Sequence, residues 1–240
     1  MTLRSLWGAF YLLACLSAII ATFGLLANST AVVIGAMLVA PLMAPIFGIA
    51  LSLANGDRQL LKTALLAEIV GVILAIGLSA LIGLIPLRAD FGSEILARTQ
   101  PTIYDVLIAL ASGLAGAYAL VNEKISPSLP GVAIATAMVP PLAACGLNIA
   151  AGNWVQAWGA FLLFLVNFIA IEFAAASIFM LFGLVEFSKI GNGSPIKAVI
   201  RRLGIRFCIL LLVTTFMTRT LINIVGERKL DKEIRTVLTN

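Results

Sequence analysis

Apolar residues fill the chain in seven long stretches, at residues 6–27, 30–54, 61–85, 103–121, 131–151, 154–187 and 205–225, separated by short polar turns. A helix that crosses a bilayer needs about 20 mostly apolar residues. The pattern therefore predicts an all-α fold, a polytopic membrane helix bundle of about seven spans forming one integral-membrane domain over residues 1–240. Two stretches differ from the rest: the second carries Pro41 and Pro45 at mid-length and the fifth carries Pro140 and Pro141. Proline has no N–H to donate, and its ring clashes with the carbonyl one turn earlier. Both segments are thus expected to kink or split into half-helices near the bilayer midplane, where exposed backbone must face protein or a water-filled cavity. The sixth stretch is longer than a bilayer requires and should tilt or extend beyond the surface. The seventh lies between Arg206 and Arg219 and spans only if both side chains snorkel to opposite interfaces.

Composition sharpens this picture. Hydrophobic residues make up 61% of the chain and charged residues 11%, against roughly a quarter charged in soluble domains, so no separate soluble domain fits. The net charge of +5, from 16 Lys+Arg and 11 Asp+Glu, concerns orientation and anionic lipid headgroups, with no nucleic acid implied. If every stretch spans, one face collects Arg4, Arg58, Lys62, Lys124, Lys189, Lys197, Arg201 and Arg202, and the other receives only Arg88 and Arg98 before the last span. That bias places the N-terminus in the cytoplasm of a cell that keeps this protein in its plasma or inner membrane. An odd number of spans puts the tail outside. The first stretch continues past Cys15 to about Ala27, too long for a signal-peptide core, and reads as the first span.

The chain has no histidine, which removes His-ligated metal and haem sites and Ser–His or Cys–His nucleophile pairs. Cys15, Cys145 and Cys208 are isolated within apolar stretches and read as small buried hydrophobes. No metal and no cofactor is expected. An enzyme is not expected either: Tyr104-Asp105 resembles half of an intramembrane aspartyl-protease signature, but no Gly-x-Gly-Asp partner occurs.

The two proline segments align on each other at a displacement of about one hundred residues. Val32, Ile34, Val39, Pro41, Leu42, Ala44, Ile49 and Ala50 meet Val132, Ile134, Val139, Pro141, Leu142, Ala144, Ile149 and Ala150. Each segment then ends in a polar turn, Asn55-Gly56-Asp57 or Ala151-Gly152-Asn153. The pattern indicates a duplicated three-span unit, at about residues 6–87 and 102–187, with a final span and tail at about 204–240. Three crossings is an odd number, so the second unit enters from the opposite face and the repeats are inverted. Interrupted helices at matching ranks of inverted halves point to a midplane binding site in secondary transporters.

The run Val33-Ile34-Gly35-Ala36-Met37-Leu38-Val39-Ala40-Pro41-Leu42-Met43-Ala44-Pro45-Ile46, followed by Asn55-Gly56-Asp57 and, in the second half, Ala137-Met138-Val139-Pro140-Pro141-Leu142, resembles the "uncharacterised hydrophobic domain" membrane proteins of bacteria and archaea, the domain of unknown function 389. The resemblance covers about residues 28–183. It implies a helical membrane domain and carries over no catalytic residue; some members of that family carry an additional soluble domain, for which this sequence has no room.

Few polar residues lie deep. Glu68 falls about two turns into the third span and Glu172 near the centre of the sixth, where an ionised carboxylate costs several kcal/mol unless paired, hydrated or protonated. Both are coupling candidates for a proton or cation, or else carboxyls hydrogen-bonded to a neighbouring helix. Asn167, a third coupling candidate, lies five residues before Glu172, about 140° away around an ideal helix. Asn148 follows the Pro140-Pro141 pair by about two turns and offers a donor and an acceptor to a ligand or to freed backbone. Thr136 precedes the pair by one turn, where its hydroxyl can bond back to its own helix. Pro41, Pro45, Thr136, Pro140, Pro141 and Asn148 are therefore the expected lining of a site for a small ion or solute. Half-helices starting after Pro41 and Pro141 would aim N–H groups at that site, and half-helices ending before them would aim carbonyls. This geometry serves either sign of charge.

Gly113 and Gly116, with Ala109, Ala111, Ala115 and Ala117, give the fourth span a small-residue surface for close helix contact, within the bundle or in a homo-oligomer. Trp154 and Trp158 read as interfacial residues beside membrane lipid. Two functions fit these features: a transporter or channel for a small ion or polar solute, and a non-transporting membrane scaffold or assembly factor.

Overall fold

The computed structural model describes residues 3–85, 91–122, 128–182 and 204. The described chain forms α1 (Leu3–Leu26), α2 (Thr30–Val39), α3 (Met43–Asn55), α4 (Arg58–Gly83), α5 (Ser93–Ala97), α6 (Ile103–Val121), α7 (Ser128–Ala150) and α8 (Trp154–Leu181), with no strand among the described residues. Four helices, in α1, α4, α6 and α8, are long and apolar enough to cross a membrane, and the pair α2 and α3, bent by 55°, can make a fifth crossing. The expected seven spans are thus not all present among the described residues. The apolar part of α7, Ile134–Ala150, is shorter than those helices, and residues 205–225, with the tail, lie outside the described residues.

Local chemistry sets the boundaries. Ser29 accepts the Val32 N–H at the start of α2, and Asp57 accepts the Gln59 and Leu60 N–H groups at 2.9 and 3.0 Å at the start of α4. Thr102 and Asp105 form a capping box on α6. Gly56 (φ 77°) and Gly152 (φ 73°) end α3 and α7 in the left-handed conformation that favours glycine. Both turns close alike: the Asp57 N–H reaches the Ser52 carbonyl at 3.0 Å and the Asn153 N–H reaches the Asn148 carbonyl at 2.9 Å.

The short helix α5 has too little apolar pattern to be read from sequence. Asn28, itself left-handed at φ 49°, accepts the Glu94 N–H at 3.0 Å and the Ser93 hydroxyl at 3.3 Å, and the Thr30 hydroxyl donates to the Glu94 carboxylate. These bonds tie the connection between the two halves of the chain to the α1–α2 turn.

α7 is the axis of the bundle. It packs against α1, α2, α4, α6 and α8 and touches α3, and every residue from 137 to 148 is buried, as expected of a helix that is apolar all round. Gly146 sits directly on the α4 backbone at Ile76 and Ala80, where any Cβ would collide. Part of the small-residue surface of α6 is used within the bundle, Gly113 against Ile171 and Ala174 of α8 and Gly116 against Phe47 and Ile134, while Ala111 and Ala115 are exposed. Trp154 and Trp158 are exposed, at 68% and 55%.

Candidate functional site

The two proline segments meet, but only one is broken. In the first, α2 stops at Val39 and Ala40 turns out to ψ 122°, the extended conformation that a following proline favours. Met43 begins α3, and Pro45 lies buried in its first turn, where its missing N–H has no intrahelical acceptor to lose. Pro41 is half-buried at the corner. Ending α2 orphans its last carbonyls, and the buried Ser17 of α1 donates its hydroxyl to one of them, Ala36, at 2.8 Å.

The second segment corrects the expectation of two half-helices: α7 runs unbroken from Ser128 to Ala150 with Pro140 and Pro141 inside it. No helix terminus therefore points N–H groups at the centre after Pro141. The prolines withdraw the N–H groups that the carbonyls of Thr136 and Ala137 would accept, and the bundle replaces the second of these. Asn167 of α8 donates its amide to the Ala137 carbonyl at 2.8 Å. Since the acceptor is a carbonyl, the atom reaching it must be the nitrogen, which fixes the amide orientation. Asn167, expected to act in coupling, thus has a first task in holding α7 together.

Between the two segments lies a small void of about 10 Å³, room for roughly one water. Ala40 and Leu42, on either side of Pro41, line it together with Val139 and Leu142, on either side of the proline pair. Ala14, Ser17 and Ala18 of α1 and Gly71 and Ala75 of α4 complete it. A Cβ built on Gly71 meets nothing within 4 Å, so the void extends over this glycine.

Glu68 stands one turn before Gly71 on the same buried face of α4, with Ala64, Ala67 and Ala75. It is 4% exposed, and neither carboxylate oxygen has a hydrogen-bond partner among the described residues. It does not reach the surface as a residue near the span start could.

The other expected site residues are dispersed. Asn148 spends its amide on the Ala144 carbonyl of its own helix at 2.8 Å, so only its oxygen, buried and without a partner among the described residues, is left for a ligand. Thr136 and Glu172 are half-buried and neither is free of interactions. Sequence reasoning missed Ser17, Gly71 and the buried hydroxyl pair of Thr22 and Ser79 at 2.7 Å. Serine and glycine are common packing residues in membrane helices, and nothing local marks these.

The family model for the domain of unknown function DUF389 matches residues 37–173, more than half of the chain and both proline segments. An uncharacterized protein of Methanocaldococcus jannaschii is 36% identical over 174 residues, covering 72% of this chain and 54% of that relative. The chain therefore spans about half the length of the relative it matches. No solved structure matches. With a match that runs from the α2 break through the proline pair to the middle of α8, the chain belongs to the DUF389 family.

Proposed function

We propose that this protein is a membrane transporter or channel for a small ion or small polar solute, whose path runs between the α2–α3 break and the proline face of α7. The observation that carries this reading is the void lined by both proline segments one turn from a buried carboxyl that has no partner among the described residues. Interior polar groups in a membrane protein are costly and are kept where they serve a pathway. The exposed apolar residues of α4 and α6, among them Leu66, Ile73, Leu81, Leu107 and Ile108, are the surface this reading gives to lipid.

Symmetry supports the same reading. α4 packs on α7 while α8 packs on α3, so the third helix of each unit rests on the proline segment of the other. α1 and α4 run parallel, with Thr22 beside Ser79. α8 begins beside Thr99, just ahead of α6, at the end where Gly83 of α4 meets Ala150. The outer helices of the second unit then run opposite to those of the first, as an inverted duplication requires. The end of the bundle bearing Arg4, Arg58 and Lys62 would face the cytoplasm. A scaffold or assembly factor is the second reading, favoured by the close enclosure of residues 137–148.

The test is flux into proteoliposomes holding the purified full chain, over a panel of protons, Na⁺, K⁺, small anions and small neutral solutes. Gly71→Ala adds a methyl group to the void without collision, so it should fold as the wild type while lowering flux. A Pro41→Ala, Pro141→Ala double variant should lower it further. Absence of any flux from folded wild-type protein would leave the scaffold reading in its place.

A further inference from the structure

The unmet polar demand of the core has one sign. Glu68 contributes two buried oxygens without partners among the described residues, and Asn148 and Asn167 contribute one each. Both asparagine nitrogens are committed to backbone carbonyls, so the atoms left over are oxygens. No buried side-chain nitrogen of α4, α7 or α8 lacks a partner among the described residues; the Nε of Arg98 does, but it belongs to the α5 end of the bundle. A buried acceptor without a donor is expensive, and an ionised carboxylate far more so. An anion beside these oxygens would add repulsion.

Among the described residues, no protein group supplies the missing positive charge. The helices packed on α4 are α1, α3 and α7. α3 and α7 contain no charged residue, and α1 carries only Arg4, at its start. Their remaining titratable groups are Tyr11, Cys15 and Cys145, none of which is cationic. On α4 itself, Arg58 and Lys62 are exposed at the helix start, and Lys62 lies about 9 Å along the axis from Glu68. No ion pair among the described residues includes Glu68.

We infer that Glu68 is a cation-binding carboxyl, taking up a proton or a small monovalent metal ion that arrives through the void at Gly71. This rests on the pathway proposed above and gives it a sign: the path admits positive charge. Binding neutralises the carboxylate and release restores it, and no other bond changes. Asn148 and Asn167 leave further oxygens unpaired elsewhere in the core of α7 and α8, and no buried side-chain nitrogen of these helices is left over among the described residues.

The test has two readouts on the full chain in liposomes. In the first, a hydrophobic carbodiimide is added and the product is read by mass spectrometry; the reagent adds the carboxylic acid O–H across its N=C=N bond, so it reacts only with the protonated acid. Modification of Glu68 should fall as pH is raised from about 5 to about 9 if the ligand is a proton. At fixed pH it should fall with added Na⁺ or K⁺ if the ligand is a metal ion. In the second, Glu68→Gln should lower proton, Na⁺ or K⁺ flux at least about tenfold, and Glu68→Asp should restore part of it. The inference is overturned by a Glu68 that is never modified, by modification that neither pH nor these ions changes, or by unaltered cation flux in Glu68→Gln. Flux of anions or neutral solutes alone would overturn the cation assignment and leave the pathway standing. Absence of all flux with cation-protected modification would defeat the pathway and leave Glu68 a binding carboxyl.

Discussion

The α2–α3 corner and the middle of α7 present the same chemical defect and answer it differently. At the corner the chain leaves the helix at Ala40, turns by 55° and starts again at Met43. In α7 two adjacent prolines leave the helix continuous. Neighbours account for the contrast. The corner is partly open, with Pro41 and Ala40 half-buried, so the backbone can swing aside and a single serine from α1 serves one orphaned carbonyl. α7 is enclosed by its neighbouring helices, has no room to bend, and receives an amide from α8 at a carbonyl its own proline abandoned. Proline sets the cost, and the surroundings decide whether that cost is met by bending or by bridging.

The enclosure can be broken most severely at Gly146. Gly146→Ala would drive a methyl group into the α4 backbone at Ile76 and Ala80, and overpacking against backbone costs about 2 kcal/mol. Thermal unfolding in detergent should show the largest loss here, and an unchanged midpoint would mean that α4 does not confine α7. The bridge is tested next. Asn167→Leu leaves the Ala137 carbonyl unsatisfied at a cost of about 1–2 kcal/mol. Pro141→Ala returns the intrahelical N–H, so the Asn167→Leu penalty should shrink in that background, with a coupling of about 1 kcal/mol in a double-mutant cycle. Additive effects would show that Asn167 does not repair the proline defect. The smallest loss is expected at the corner, where Ser17→Ala removes the bond to Ala36 beside a void that can admit water. A cost of about 0.5 kcal/mol follows; a penalty equal to that of Asn167→Leu would erase the contrast.

Much of this bundle is legible in the residue pattern. The starts of α2, α6 and α8 fall where apolar runs follow Ser29, Thr102 and Asn153, and the paired glycine turns stand out because no other residue adopts φ near 75° as easily. α4 begins three residues earlier than its apolar run because Asp57 caps it. The deep position of Glu68 was readable from its rank in the span, whereas its lack of partners was not, since that depends on what α1, α3 and α7 bring beside it. The continuity of α7 could not be read locally at all: the prolines predict a break, and the residue that prevents it lies 30 positions beyond the carbonyl it serves. In sequence Asn148 offers a donor and an acceptor to a ligand or to freed backbone alike; in the structure its own helix takes the donor.

That separation of 30 residues also bears on how the protein is made. A chain that enters the bilayer from its N-terminus delivers Ala137 and its prolines before Asn167 has been synthesised. Until α8 arrives, α7 carries a carbonyl that neither its own backbone nor lipid can satisfy. Pairing with α8 as a helical hairpin supplies the donor that α7 lacks on its own.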